Sequence, residues 1–163
     1  MVEKVGPALH TARVELRPEL CPPRVERQRI AELCAAIDRI EGLLQRGEPA
    51  EPAIAAFNAD TGHAYPAEYF VTYRDSRDVE DFALEAARPA RPKVVDVTRD
   101  ELIEIVRRIQ AVDADIEYYV LLLETNVVHP RVTDLVFWPP PELVGASPER
   151  IVDAALRYRP IPL

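Results

Sequence analysis

Sixteen prolines divide this chain of 163 residues, and most of them stand in groups. The groups fall at residues 18–23, 49–52, 89–92, 139–141 and 160–162. Because proline lacks an amide hydrogen and its ring clashes with the preceding turn, a helix rarely continues through such a group. Between the groups, apolar residues recur three and four positions apart, which is the period of a helix with one buried face. The sequence therefore predicts an all-α protein built from short helices.

Residues 24–88 predict four helical stretches that carry several aromatic side chains. Apolar periodicity predicts a helix over Arg24–Leu44, a short helix that begins at Pro52, and helical stretches over Pro66–Tyr73 and Ser76–Ala87. Ser76 is the predicted N-cap of the last stretch. We interpret the aromatic residues as the core of this region, with a ligand pocket as the alternative. They are Phe57, Tyr65, Tyr69, Phe70, Tyr73 and Phe82.

Helix signals are strongest beyond residues 88–93, a proline-containing segment that is predicted to be an extended linker. Thr98 and Glu101 have the spacing of a capping box, in which the side chain of each residue binds the backbone amide of the other. The helix that follows is predicted to bury a stripe that begins at Leu102 and to leave charged residues such as Glu104 in solvent.

Three more helical elements are predicted after this helix. The second helix runs from about Asp115 to Val127 and is apolar on several faces, so it is either surrounded or meets a partner. A single helical turn is predicted within residues 129–139, and a last helix begins at the N-cap Ser147 and ends near Tyr158. Four such elements can close an apolar core as a small bundle.

The chain is therefore expected to have three parts. These are an extended N-terminal segment at residues 1–23, a helical region at residues 24–88 and a four-helix domain at residues 94–163. With 48% apolar and 29% charged residues the chain has a globular composition, and its two cysteines have no metal-type spacing. We predict neither a disulfide bond nor a cofactor.

The net charge of -8 limits the classes of partner. A nucleic acid must be met by clustered Lys and Arg, so the charge argues against nucleic acid and favours a basic protein. Residues 94–163 carry 12 acidic and 7 basic residues, although solubility alone would explain that imbalance. The sequence shows neither a leader-like start nor an apolar run long enough for a membrane span, which predicts a cytoplasmic protein.

Three sequence blocks follow one another in the C-terminal part. The first is Val97-Thr98-Arg99-Asp100-Glu101-Leu102. The second joins His129-Pro130 to Asp134-Leu135-Val136-Phe137-Trp138-Pro139, and the third is Ser147-Pro148-Glu149-Arg150-Ile151-Val152. In this order and at this spacing, the region from about Asp96 to Pro160 resembles the immunity proteins of nuclease colicins and pyocins.

The resemblance implies the fold of that family, a distorted four-helix bundle, here with an N-terminal helical extension. It also implies an immunity protein that binds a cognate nuclease toxin beside the active site of the toxin and blocks the path of the nucleic acid. By the same resemblance the short third helix supplies the affinity anchors Asp134, Phe137 and Trp138. The second helix supplies the selectivity positions, which are Ile116, Glu117, Val120 and Glu124.

One departure from the family pattern changes the expected contact. The family usually has two tyrosines where this chain has Phe137 and Trp138, so the contact would be more apolar, with one indole N–H as donor. Structural roles are the alternatives for the site residues. The two rings would otherwise plug the bundle core, Glu117 and Glu124 would form a solvated face, and Asp134 would cap the short helix.

An inhibitor of this type is not an enzyme and needs no metal. His129 has no nucleophile near it in sequence and no metal-binding pattern, so we predict a structural role before Pro130. Two alternatives stay open: an acidic helical adaptor or regulator without a toxin partner, and a small enzyme that uses His63, Asp60 and Tyr65. The sequence does not distinguish a DNase from an RNase toxin, or a monomer from a homodimer.

Overall fold

The computed structural model describes residues 13–162, and within this range the chain forms eight α-helices, three short 3-10 helices and no strand. The predicted all-α class is confirmed. Residues 1–12, which include His10, and residue 163 lie outside the described part of the chain. Within the described residues the helices form two groups, each around its own apolar core.

The first group consists of four helices. They are α1 (Arg27–Gln45), α2 (Glu51–Thr61), α3 (Tyr69–Thr72) and α4 (Val79–Ala87). Asp78 is the N-cap of α4, because its carboxylate accepts a hydrogen bond of 2.9 Å from the amide of Asp81. The prediction of Ser76 as this N-cap was wrong. Ser76 follows the 3-10 helix Tyr73–Asp75, and its hydroxyl donates to the carbonyl oxygen of Tyr73 instead.

Phe82 of α4 lies at the centre of the first core. It has no exposed surface, and its ring centroid lies 4.9 Å from that of Tyr73 and 5.4 Å from that of Phe70. Helix α1 contributes Leu33, Ile37 and Ile40 to the same core and makes its main contacts with α4. The aromatic residues of this region therefore form its core, as the first of the two interpretations predicted.

The second group also consists of four helices. They are α5 (Arg99–Gln110), α6 (Ile116–Asn126), α7 (Val132–Phe137) and α8 (Pro148–Leu156). Each of them packs against two others, in the closed order α5, α6, α7, α8 and back to α5. Helix α5 begins with the predicted capping box, in which the amide of Thr98 donates to the Glu101 carboxylate at 2.8 Å. Ser147 caps α8 as predicted.

The segment before α1 packs into the second core, although it is far from that core in sequence. Leu16 and Leu20 are 5% and 0% exposed within it. The guanidinium group of Arg17 lies 2.8 Å from the carboxylate of Glu101 and also donates to the carbonyl oxygen of Val95. Burial alone would raise the pKa of Glu101, but the bonds from Thr98 and Arg17 outweigh it and lower this pKa. The second group is therefore built from two separate parts of the chain.

Glu104 on α5 is buried, with 3% of its surface exposed, so the prediction that it faces solvent was wrong. Its carboxylate accepts hydrogen bonds from the guanidinium groups of Arg107 and Arg108, which lie three and four positions later on the same helix. Arg13 and Glu15 line a small cavity together with these three side chains. The segment before α1 thus lies over a face of α5 that the periodicity assigned to solvent.

Val112 joins α5 to α6 in the left-handed backbone region, with a φ of 53° and 74% of its surface exposed. A β-branched residue is strained there, whereas glycine is not. We expect Val112→Gly to raise the free energy of unfolding by about 0.5–1 kcal/mol, because relief of strain exceeds the entropy that glycine adds to the unfolded chain.

Chemical denaturation of the wild type and the variant measures this difference. Val128 supplies a matched control, because it is 72% exposed and its φ is not positive. Val128→Gly is expected to lower the free energy of unfolding. Equal effects of the two substitutions would contradict the assignment of strain to residue 112.

Candidate functional site

The end of α7 presents two large aromatic side chains to solvent. Phe137 is 46% exposed and Trp138 is 81% exposed. Helix α7 ends here because Trp138 leaves the helical region, with a φ of -134° and a ψ of 54°, and three prolines follow it. These exposures are incompatible with a role for both rings as plugs of the bundle core. Isolated exposed aromatic pairs of this size are typical of protein-binding surfaces.

Asp134 lies one turn before these rings and is partly buried. Its carboxylate lies 2.6 Å from the guanidinium group of Arg131. The N-cap of α7 is Arg131, which makes no side-chain capping bond, so Asp134 does not cap the helix as one alternative proposed. The side chain of Arg131 is 79% exposed, so this ion pair lies at the surface.

The four α6 positions that the resemblance assigns to selectivity differ in their exposure. Glu117 has a 78% exposed side chain, and Glu124 is also exposed and accepts a hydrogen bond from the Thr133 hydroxyl at 3.3 Å. Ile116 and Val120 are partly buried against the second core and expose the rest of their side chains. These positions combine two carboxylates with a partly exposed aliphatic stripe.

Five of the seven predicted residues line one cleft of about 770 Å³. Phe137 lies in the cleft beside the four residues of α6, whereas Asp134 and Trp138 do not line it. The structure therefore brings the proposed selectivity positions together with one anchor ring. The indole of Trp138 lies outside the cleft, on the surface at the C-terminal end of α7.

The opposite wall of the cleft comes from the first group of helices. Asp81, Leu84 and Glu85 of α4 line it, together with Arg77 before the helix and Arg88 at its end. Sequence reasoning did not assign these residues to the site. No local pattern points to them, because their role arises from how α4 packs across from α6. The apolar character of several α6 faces was the one available signal.

Two arginines connect the walls. Arg88 lies 2.9 Å from the carboxylate of Asp115, and its guanidinium group lies 5.6 Å from the ring centre of Tyr118. Arg77 lies 3.8 Å from Glu117 and 2.5 Å from Glu85. Burial raises the pKa of Tyr118, and Arg88 only partly offsets this. These contacts cover Tyr118. One of the several apolar faces of α6 is thus partly covered by residues of the same chain.

The polar residues of the enzyme alternative each have a separate partner. Asp60 pairs with Arg29 at 2.9 Å, and the Tyr65 hydroxyl donates to Glu85 at 2.7 Å. The ring of His63 stacks on Tyr65, and its Nε2 lies 2.8 Å from the carbonyl oxygen of Arg88. The three groups do not converge on one point where a substrate atom would react. Burial raises the pKa of Tyr65 far above its ordinary value, which keeps its hydroxyl protonated.

His129 has the structural role that its sequence context predicted. Its Nδ1 accepts a hydrogen bond of 3.1 Å from the amide of Arg131, and its ring packs 4.9 Å from that of Tyr158. Within residues 13–162, no three His, Cys, Asp or Glu side chains are grouped as metal ligands. A search of the same residues finds no helix with the length and apolarity that crossing a bilayer requires.

The second group of helices is a closed four-helix arrangement with two exposed aromatic rings at the end of its short helix. Residues 94–160 match the family model described as colicin immunity protein / pyocin immunity protein. The resemblance predicted from the three sequence blocks is therefore confirmed for the C-terminal part. A search of curated proteins and a search of solved structures each gave no match.

Proposed function

We propose that this chain is an immunity protein that binds a cognate nuclease toxin and neutralises it by contact beside the active site. The family match supports the class of function, since its members are inhibitors of toxins. The observation that carries the proposal is the 81% exposure of Trp138, the only tryptophan of the chain, at the end of the helix that the resemblance assigns to affinity.

The physical argument rests on how such surfaces bind. A large aromatic side chain contributes most when it enters a pocket of the partner and loses its contact with water. Trp138 and Phe137 are available for such burial without unfolding of the bundle. Glu117 and Glu124, which line the same cleft as Phe137, carry negative charge, and such charge steers a basic partner and raises the rate of association.

The remaining parts of the proposal follow from the same role. The protein acts in the cytoplasm of the producing cell, where it meets a nuclease before export. It binds no nucleic acid and catalyses no reaction, because an inhibitor acts by occupying the surface of its target. A net charge of -8 opposes contact with a phosphate backbone and suits a basic nuclease.

Co-expression with the nuclease domain of the toxin encoded beside this chain tests the proposal. We expect cells that make both proteins to survive at the level of cells that make a catalytically inactive nuclease. Cells that make the active nuclease alone are expected to lose viability by several orders of magnitude. A complex of the two purified proteins is expected to elute as one species in gel filtration.

The control is an unrelated nuclease of similar charge, which the chain is not expected to neutralise. Protection against both nucleases would point to a general electrostatic effect, and death with both proteins present would reject an immunity function.

A further inference from the structure

We infer that the first group of helices forms part of the toxin-binding site, because a cationic segment of the toxin enters the cleft between α4 and α6 and contacts both walls. This inference rests on the proposed immunity function and extends it to residues outside the family match, which begins at residue 94.

The shape and lining of the cleft carry the inference. Its volume of about 770 Å³ is large enough for several side chains of a partner. Leu84 on one wall and Ile116, Val120 and Phe137 on the other provide an apolar lining that spans the two helix groups. A partner that covers Phe137 and the α6 selectivity positions is therefore within contact distance of α4.

Charge identifies the partner. Five carboxylates line the cleft, against the two guanidinium groups of Arg77 and Arg88. Arg77 binds Glu85 closely and lies 3.8 Å from Glu117, so its ion pair with the exposed Glu117 carboxylate is weak. Glu117 can therefore form a closer ion pair with a cation of the partner. Asp81 is exposed and lines the same cleft from the α4 wall. A second copy of the chain fits less well, since its net charge is -8.

Two neighbouring residues of α4 allow a matched test. Asp81 lines the cleft, whereas Glu80 is also exposed but does not line it. Both lie in the first turn of α4, so a lysine at either position changes the charge by the same amount and has a similar effect on the helix dipole. The variants Asp81→Lys and Glu80→Lys therefore differ mainly in contact with the cleft.

The experiment measures association and dissociation rates with the catalytically inactive nuclease domain of the toxin encoded beside this chain. Both variants are expected to slow association to a similar degree, because long-range steering depends on total charge. Only Asp81→Lys is expected to speed dissociation, by about tenfold, because only it removes a contact and places like charges together. Thermal unfolding of both variants checks that α4 is equally stable in them.

The outcomes separate this inference from the proposed function. In one outcome the wild type binds, Trp138→Ala dissociates faster, and the two lysine variants dissociate at the same rate. The immunity function then stands, and the cleft inference is overturned. If the wild type does not bind the nuclease, both fail. If sedimentation shows that the wild type forms a dimer and that Asp81→Lys disrupts it, the occupant of the cleft is a second copy. The cleft inference then fails, and survival on co-expression decides the immunity function.

Discussion

The double variant Phe137→Ala with Trp138→Ala is expected to bind the toxin about a hundredfold to a thousandfold more weakly than the wild type, a loss of roughly 3–4 kcal/mol. Both rings are exposed at the end of α7, with exposed fractions of 46% and 81%. Truncation removes the side chains that would fill pockets of the nuclease. Because the rings contribute little to the core of the free protein, the stability of the variant is expected to change by less than about 1 kcal/mol.

Calorimetric titration with inactive nuclease measures the affinity, and survival on co-expression with active nuclease measures the consequence. Val71→Ala is the control, since Val71 is an exposed apolar residue at 56% but belongs to α3, outside the cleft. An unchanged affinity of the double variant would show that the aromatic pair is not the anchor. A loss of affinity in Val71→Ala of the same size would show that exposed apolar area as such is responsible.

Leu20→Ala is expected to lower the stability of the C-terminal helices by about 2–5 kcal/mol, although residue 20 lies far from them in sequence. Leu20 has no exposed surface and belongs to the core that α5, α6 and α8 form. The substitution leaves a cavity at a point where the segment before α1 and the bundle meet. Leu156→Ala is a matched control, because Leu156 is 41% exposed on α8, and it is expected to cost less than about 1 kcal/mol.

Hydrogen exchange locates this effect. In Leu20→Ala the amides of α5, α6 and α8 are expected to exchange faster, while those of α1 and α4 keep the protection of the wild type. Among the described residues, the first core contains none from the segment 13–26 before α1, so the substitution should not reach it. Faster exchange in α1 and α4 alone would contradict the assignment of Leu20 to the second core.

The sequence predicted those features whose signals lie within one helical turn. The capping box of Thr98 and Glu101 and the N-cap Ser147 were predicted, because a cap depends on residues at most three positions apart. Ser76 was predicted as the cap of α4, whereas Asp78 is the cap; serine and aspartate are both good caps, so residue type alone does not identify the position. The preceding 3-10 helix Tyr73–Asp75 uses Ser76 for its own end.

The features that were not predicted depend on contacts between distant parts of the chain. Glu104 was assigned to solvent from the periodicity of α5, which contains no information on the segment that lies over it. The same holds for Arg17, whose partner Glu101 is 84 residues away. The resemblance predicted the site residues on α6. Asp81 and Leu84 lie outside the matched region and belong to no sequence motif, so they were not predicted.

The placement of Leu16 and Leu20 also sets an order of events during synthesis. Among the described residues, the buried members of the first core all lie between residues 33 and 86, so this core can form once α4 has left the ribosome. Leu20 leaves earlier, but its partners extend to Ala155 and are translated roughly ten seconds later at ordinary rates. During that interval the apolar side chains of Leu16 and Leu20 precede a folded α1–α4 unit, and the core that will bury them has not yet been synthesised. The α1–α4 unit is thus an insertion within another domain, and that domain closes only when α8 has been made.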